Sequence, residues 1–374
     1  MTSSVMRWLT PGFTMTGIAG TLVALVTGQI NLPTLDSLRG SQPPVYEDPL
    51  AVPQQGDSGS LPRSSRDSIA RVGLSTRQPT QVHGKSETAI RVASFNIQTF
   101  GTSKAGKSSV MDALARIFLE FDVVAVQEIK GDPAVPINAL FSRIHAMGGR
   151  YNAVVSEPLG RTSQTERYGF IWDTSRMRFV VGSDYLIDDE PGDRMHREPY
   201  VATFETRVNP VDSRRPFSFT LINVHTDPDE VFGDSADNEL NVLDDVYVRV
   251  RQWEYNQTGQ EDFLMLGDLN VPVGDLAELG RIPNVVSLIG DQPTTTKSGK
   301  TYDHILLDRV VTQEMTGRFG VLDIQPYIGD PAIAPAQVSD HLPVWAEFGV
   351  YEAPRETYGN RTIPASYRGP TMVK

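Results

Sequence analysis

The chain has 374 residues, 34 Lys and Arg against 46 Asp and Glu, a net charge of −12 and no cysteine. The absence of cysteine excludes disulfides, thiolate metal sites and a cysteine nucleophile. The acidic balance speaks against a stoichiometric DNA-binding module, which carries a basic footprint, but not against an enzyme that needs only a local cluster of cations.

The N-terminal stretch reads differently from the rest. No charge occurs between Arg7 and Asp36, and Ile18 to Thr27 (IAGTLVALVT) is almost wholly apolar. That pattern predicts a signal peptide or membrane anchor over residues 1–30, with Gly28 as a candidate cleavage point. Pro11, Gly12, Gly17 and Gly20 weaken it as a spanning helix of about 20 apolar residues. Export follows from this reading: secreted, periplasmic, or associated with a membrane with the remainder outside the cytoplasm. Residues 31–88 are rich in Pro, Ser, Gly and Gln without a sustained period and read as a disordered linker. Residues 351–374 read as a flexible tail, which leaves 89–350 as the folded, catalytic domain.

Within that domain IRVASFNI alternates as a strand does. Val110, Met111, Leu114, Ile117 and Phe118 then share one helical face, DVVAVQE (122–128) is a buried strand, and Ile137 to Met147 marks a second amphipathic helix. Strands are predicted at 168–172, 177–181, 201–208 and 217–225. A long helix follows at 238–253, then strands at 263–266, 302–307 and 342–348. Helices intermixed with long runs of strands suggest an α/β fold with two sheets packed face to face and helices outside. Periodicity alone leaves a doubly wound sheet open.

Polar residues cluster at the ends of the apolar runs. Asn96 follows RVASF, Glu128 ends DVVAVQ, His225 ends FTLINV, Asp268 and Asn270 follow DFLMLG, and Asp340 and His341 precede LPVWAEF. Strand ends are rigid supports from which side chains can converge on one rim. Asn96, Glu128, Asp268, Asn270, Asp303 and Asp340 are hard oxygen ligands or orienters, suited to Mg2+, Mn2+ or Ca2+ rather than zinc. A cation of that kind neutralises a phosphate, and two histidines can move protons near neutral pH. A lone Asp or Asn after a strand is usually a turn residue; the signal is the joint order. GTSKAGKS (101–108) fits the letters of a phosphate-binding loop, but no partner elements accompany it. It reads as a flexible loop whose Lys104 and Lys107 add phosphate contacts. His304 is expected to be structural and His145 to lie on the second helix as surface or core filler.

Taken together, SFNIQTFG (94–101), VVAVQEIK (123–130), MLGDLNVP (265–272), TYDHILLD (301–308) and VSDHLPV (338–344) resemble the endonuclease/exonuclease/phosphatase superfamily. Finer features, LGRTSQTERYGFIWD (159–173), HREPYVATF (196–204) and VHTDPDE (224–230), are similar to the deoxyribonuclease I group within it. The resemblance implies a four-layer α/β sandwich of two mixed sheets flanked by helices. It implies a metal-dependent phosphodiesterase, a non-specific DNA endonuclease, with a nucleic acid substrate and Mg2+ or Mn2+ held by Glu128, Asn96 and Asp340. It further implies an acid/base pair, His225 oriented by Glu166 and His341 oriented by Asp303. Asp268 and Asn270 would orient water and phosphate oxygens, and Arg197 and Arg161 would grip phosphate. Structural calcium is implied at the acidic residues Asp188, Asp189, Glu190 and Asp193 and at Thr294–Thr296. The sequence departs from the group at Gln98 and Lys130, where the group has Arg, and at Gln164, where it has Tyr. Those departures fall on DNA-contacting positions and bear on the preference for double-stranded DNA, while the membrane-anchor reading of the N-terminus keeps open a lipid or inositol-phosphate phosphodiesterase or phosphatase.

Overall fold

A computed structural model of the chain describes residues 84–163, 165–187, 194–211, 214–233 and 238–353. The expected N-terminal signal or anchor, most of the linker and most of the tail lie outside the described residues. No helix among the described residues is long and apolar enough to cross a membrane.

The elements form two mixed sheets with helices on their outer faces, the four-layer α/β sandwich expected from the resemblance. The first sheet holds β1 (Ala89–Phe100), β2 (Val123–Ile129), β3 (Tyr151–Val155), β4 (Arg167–Asp173), β12 (Met315–Val321) and β13 (Val344–Gly349), in the order β12-β13-β1-β2-β4-β3. The second holds β5 (Met177–Phe179), β6 (Tyr185–Leu186), β7 (Tyr200–Thr206), β8 (Ser218–His225), β9 (Phe263–Asp268), β10 (Val285–Ser287) and β11 (Asp303–Asp308). Its order is β10-β11-β9-β8-β7-β5, with β6 beside β7. Each sheet has one central parallel pair, β1 with β2 and β8 with β9. Helices α1 (Thr102–Ala105), α2 (Ser108–Phe118) and α3 (Ala134–Ala146) lie on the first-sheet side, α4 (Leu240–Thr258) on the second-sheet side, and α5 (Pro335–Val338) just before β13.

Strand side chains alternate between faces, and here the alternation sorts the core into layers. Ile90, Val92, Val123, Ala125, Phe170 and Val344 face Leu221, Leu264, Leu266 and Ile305 between the sheets. Their odd neighbours Ala93, Phe95 and Ile97 pack under α2 and α3, while Ile222, Val224, Met265 and Leu306 pack under α4. β3, β6, β10 and β12 were not expected from the sequence. They are short, partly exposed or interrupted by glycine, so period-2 patterning marks them poorly.

One polar layer interrupts the inter-sheet core. Asn223 on β8 donates through Nδ2 to the carbonyls of Val126 and Gly169, both at 3.2 Å, and accepts from Gln127 Nε2 at 2.6 Å. Gln127 Nε2 also reaches Ser94 Oγ at 3.1 Å. All three side chains are buried, so these bonds fix how one sheet sits on the other. Asn223→Ala leaves several buried groups unpaired. It is expected to lower unfolding free energy by about 3 kcal/mol, measured by urea denaturation.

Candidate active site

The inward parity that builds the core also delivers the site. On β1 the inward series Ile90, Val92, Ser94 continues to Asn96; on β8 Leu221 and Asn223 continue to His225; on β9 Leu264 and Leu266 continue to Asp268; on β11 Leu307 and Ile305 run back to Asp303. His225, Asp268 and Asp303 are lateral partners across three adjacent strands. Because β11 and β13 are antiparallel to their neighbours, their N-terminal ends share the rim with the C-terminal ends of β8 and β9. That is how Asp303 and the Asp340–His341 turn join residues from strand ends.

Two histidine–carboxylate pairs stand there. His225 Nδ1 lies 2.8 Å from Glu166 Oε1, and His341 Nδ1 lies 2.8 Å from Asp303 Oδ2. The far nitrogens converge: His225 Nε2 is 3.6 Å and His341 Nε2 3.4 Å from Asp268 Oδ2. That oxygen also accepts a bond from Asn96 Nδ2 at 3.0 Å, which ties the first sheet to the second. Burial alone would raise the Glu166 pKa, but the His225 ring, Arg197 and Lys130 outweigh it and hold it at about 2. Burial likewise disfavours a charged His341, yet Asp303, Asp268 and Asp340 push it up to about 10. His225 is raised for the same kind of reason, Glu166 prevailing over desolvation.

A second group faces the cation question. Bulges interrupt the ladder between Asn96 and Phe100 and between Val126 and Ile129. Thr99 and Glu128 inside them adopt positive φ, 50° and 62°, a conformation of order 1 kcal/mol unfavourable for such residues. The result is that Glu128 breaks the alternation of β2 and accepts the Thr99 N–H through Oε2 at 2.8 Å. Two buried oxygens, Asn96 Oδ1 and Asp340 Oδ1, have no hydrogen-bond partner. Buried polar atoms are nearly always satisfied, so orphaned acceptors beside carboxylates fit a hard cation. Asp268, Asp303 and His341 are also close enough to share one, but their facing atoms already bind one another.

Supporting groups hold this rim in place. Ser339 Oγ donates to the Asn96 carbonyl at 2.8 Å and accepts from the amides of Gln98 and His341. Thr294 Oγ1 accepts from the amides of Tyr302 and Asp303. Asn270, at φ 55°, donates to the Thr226 carbonyl at 2.9 Å, while its amide bonds Asp268 Oδ1. Gly267 precedes Asp268 with φ 154°, and a Cβ there would sit 1.8 Å from the Val224 carbonyl oxygen; only glycine lets β9 pass β8 so closely.

The remaining predicted residues find the following places in the fold. Lys104 belongs not to a flexible loop but to α1, and its buried ammonium donates to the Val338 carbonyl at 2.7 Å. Burial draws its pKa down to about 8 against the opposing pull of Glu128 and Asp340. Arg197 is buried rather than presented to a ligand: it donates to the carbonyls of His225 and Thr226 and lies 3.4 Å from Glu166. Arg161 pairs with Glu230. Gln98 and Lys130, at positions where the resembling group has Arg, buttress the site internally, Gln98 on Asp340 Oδ2 at 2.7 Å and Lys130 on Glu166 Oε2 at 3.3 Å. The hydroxyls of Thr294, Thr295 and Thr296 bond backbone or Ser298. The acidic residues Asp188, Asp189, Glu190 and Asp193, like Gln164, lie outside the described residues. His304 is buried between Ser287 Oγ and the Val271 carbonyl, a structural placement.

Glu239 was missed by the sequence reading. It is fully buried just before α4 and accepts the amides of His196 and Asp227, which pins the segment after His225. Burial raises its pKa to about 7, against those bonds. Tyr168, donating to the His225 carbonyl at 3.1 Å, was also missed. A Glu opening a helix and a Tyr inside a strand carry no local sign of such use.

Two carboxylate-held histidines that converge on one aspartate, beside orphaned oxygens on a sandwich rim, are an arrangement suited to moving protons at a phosphate ester. The family model described as Endonuclease/Exonuclease/phosphatase family matches residues 93–341, and the chain belongs to that family. It is 30% identical over 276 residues to Deoxyribonuclease-1 of Sus scrofa, covering 68% of this chain and 90% of that protein. It is 29% identical over 298 residues to Deoxyribonuclease gamma of Mus musculus, covering 75% and 90%. For Deoxyribonuclease-1 of Homo sapiens the identity is 30% over 275 residues, covering 68% and 91%. The protein is a hydrolase acting on phosphodiester bonds.

The Glu166–His225 pair has a pH signature. A carboxylate with a depressed folded pKa stabilises above its unfolded value and loses that contribution as pH falls through the folded one. For Glu166 the window runs from 4.5 down to about 2. The raised His225 contributes fully below its ordinary 6.5 and loses its contribution as pH rises through the folded value. Glu166→Gln is expected to lower stability at pH 6 by about 3 kcal/mol and to flatten the acid limb of unfolding. Urea denaturation in pH steps reads both.

Proposed function

We propose that this hydrolase is a divalent-cation-dependent DNA endonuclease. The observation that carries the reading is the convergence of two carboxylate-held histidines on Asp268 Oδ2, at 3.6 and 3.4 Å. The likeness to deoxyribonucleases over most of their length supports DNA as the substrate. Export is supported only by the apolar N-terminal segment.

A phosphodiester held at the rim meets the two Nε2 atoms. Glu166 and Asp303 keep each Nδ1 as the donor to a carboxylate and stabilise imidazolium, so each Nε2 faces the reacting phosphate. One histidine, in its neutral form, takes the proton of the attacking water. The other, protonated, gives a proton to the departing oxygen, and the P–O bond to it breaks as the new P–O bond forms. Asp268 lies between the rings and, with Asn270 and Asn96, orients the water and the phosphate oxygens. Glu128, Asn96 and Asp340 would hold Mg2+ or Mn2+, which supplies charge neutralisation at the phosphate. Lys104 supplies a fixed positive charge behind Glu128 and Asp340. Arg197 acts as a positioning residue, fixing the backbone at His225 and Thr226.

The test is nicking of supercoiled plasmid by the full chain in Mg2+. Chelator is expected to stop it, and His225→Ala and His341→Ala each to slow it by about 1,000-fold with the fold retained by circular dichroism. Unchanged nicking in both variants would overturn the site. Absence of nicking together with phosphate release from inositol lipids would replace DNA by a lipid substrate.

A further inference from the structure

β8 ends at His225, and the chain then leaves the sheet. Backbone groups beyond a strand end lose their ladder partners, and buried ones must find others. Here side chains from four other segments take over. The His225 carbonyl accepts from the Tyr168 hydroxyl at 3.1 Å and from Arg197 Nε at 3.0 Å. The Thr226 carbonyl accepts from Arg197 Nη2 at 3.1 Å and from Asn270 Nδ2 at 2.9 Å. The Thr226 amide donates to the Asp268 carbonyl at 3.0 Å, and the Asp227 amide to Glu239 Oε2 at 2.6 Å.

Glu239 differs from the other three side chains. It is an acid, fully buried, and it stands just before α4, whose apolar residues Leu240, Leu243 and Val246 pack with Ile222, Val224 and Met265 of β8 and β9. Its other oxygen, Oε1, accepts the amide of His196, the neighbour of Arg197. Its own amide donates to the Glu230 carbonyl at 2.9 Å. One carboxylate thus joins the segment that carries Arg197 to the turn that follows His225. Burial opposes a charge at this place and pushes the Glu239 pKa up to about 7, against its two amide bonds and the attraction of Arg197.

The Glu166 carboxylate gives that costly placement a purpose. Its Oε1 is contested: His225 Nδ1 lies 2.8 Å away and Arg197 Nε 3.4 Å. A guanidinium is a permanent cation with five donors, so an arginine free to move closer would take that oxygen and release the His225 ring. Arg197 is attracted by Glu166 and by Glu239, and the second carboxylate offsets the first. We infer that Glu239 is a positioning residue of the active site, which holds Asp227 and the Arg197 segment so that His225, and not Arg197, keeps Glu166. It touches neither substrate nor the reacting atoms. This role rests on the reading of His225 as an acid/base group.

The experiment compares the full chain as wild type, Glu239→Gln and Glu254→Gln. Gln keeps the shape of Glu239 but turns one acceptor into a donor that faces an N–H. Glu254 is another buried carboxylate of the same helix, about 20 Å further along it, and accepts from the Tyr185 hydroxyl at 3.1 Å. It controls for a general loosening of α4. Plasmid nicking in Mg2+ gives kcat and KM, and NMR in chelator follows the His225 imidazole. In Glu239→Gln the expected kcat is lower by about 100-fold with KM little changed. Its His225 pKa, raised in the wild type, is expected to fall toward the ordinary 6.5. Glu254→Gln is expected to match the wild type in both.

An unmoved His225 titration in Glu239→Gln overturns the proposal, and so do equal changes in Glu254→Gln. A wild type that does not nick DNA refutes the substrate alone, because the titration still decides the role of Glu239. One measurement needs no variant. In the wild type the amides of His196 and Asp227 are expected to exchange with solvent as slowly as those of β8, and fast exchange of either overturns the proposal.

Discussion

Every inward side chain of two stacked sheets must find either apolar neighbours or a hydrogen-bond partner, because no water reaches it. In this protein that constraint generates a gradient along the strands. Val92, Val123, Leu221 and Leu264 form a dry layer; Ser94, Gln127 and Asn223 are fully buried and bond across the gap; Asn96, Glu166, His225, Asp268 and Asp303 form the layer at the rim. Each layer is one step of the same alternation. The middle layer decides the fate of the outer one. By fixing Asn223 on the backbone of β2 and β4, it sets where His225, two residues on, meets Glu166 from the facing sheet.

Charge at the rim is balanced by construction. Glu166 is shared by His225, Arg197 and Lys130; Asp268 is shared by both histidines and Asn96. Such pairs offset the desolvation of their members only when geometry is good and every remaining lone pair is used. Where lone pairs remain unused, at Asn96 Oδ1 and Asp340 Oδ1, the imbalance points outward to a cation. The strain at Thr99 and Glu128 is found in the same few residues, where bulges turn the Glu128 carboxylate out of the regular strand. Enclosed cations such as Arg197, Lys130 and Lys104 therefore place positive charge at the rim of a chain that is acidic as a whole.

Arg197 and Lys104 illustrate how residue type misleads without context. Both are cations beside the rim, and both were expected to touch phosphate. In the fold each instead bonds backbone carbonyls, of His225 and Thr226 in one case and of Val338 in the other. A long cationic side chain can reach outward or inward with the same local sequence, and burial of its neighbours chooses. Glu239 is the converse: nothing in the sequence marks it, yet it is enclosed by the loop it anchors.

The sequence by itself determined the alternation of the long strands, the amphipathic faces of α2 to α4, and the order of Asn96, Glu128, His225, Asp268, Asp303 and His341. These are local periodicities and motifs, written within a few residues of one another. The pairings Glu166–His225 and Asp303–His341 were available only through resemblance, since their members stand 59 and 38 residues apart. What tertiary structure alone decided was which polar atoms end unpaired. The crossing bonds of Asn223, the inward turn of Arg197 and the meeting of Asp262, Glu314 and Glu352 all join segments that carry no mark of one another. Such contacts arise from how two sheets stack and where their edges fall, a long-range property that no local pattern of side chains encodes.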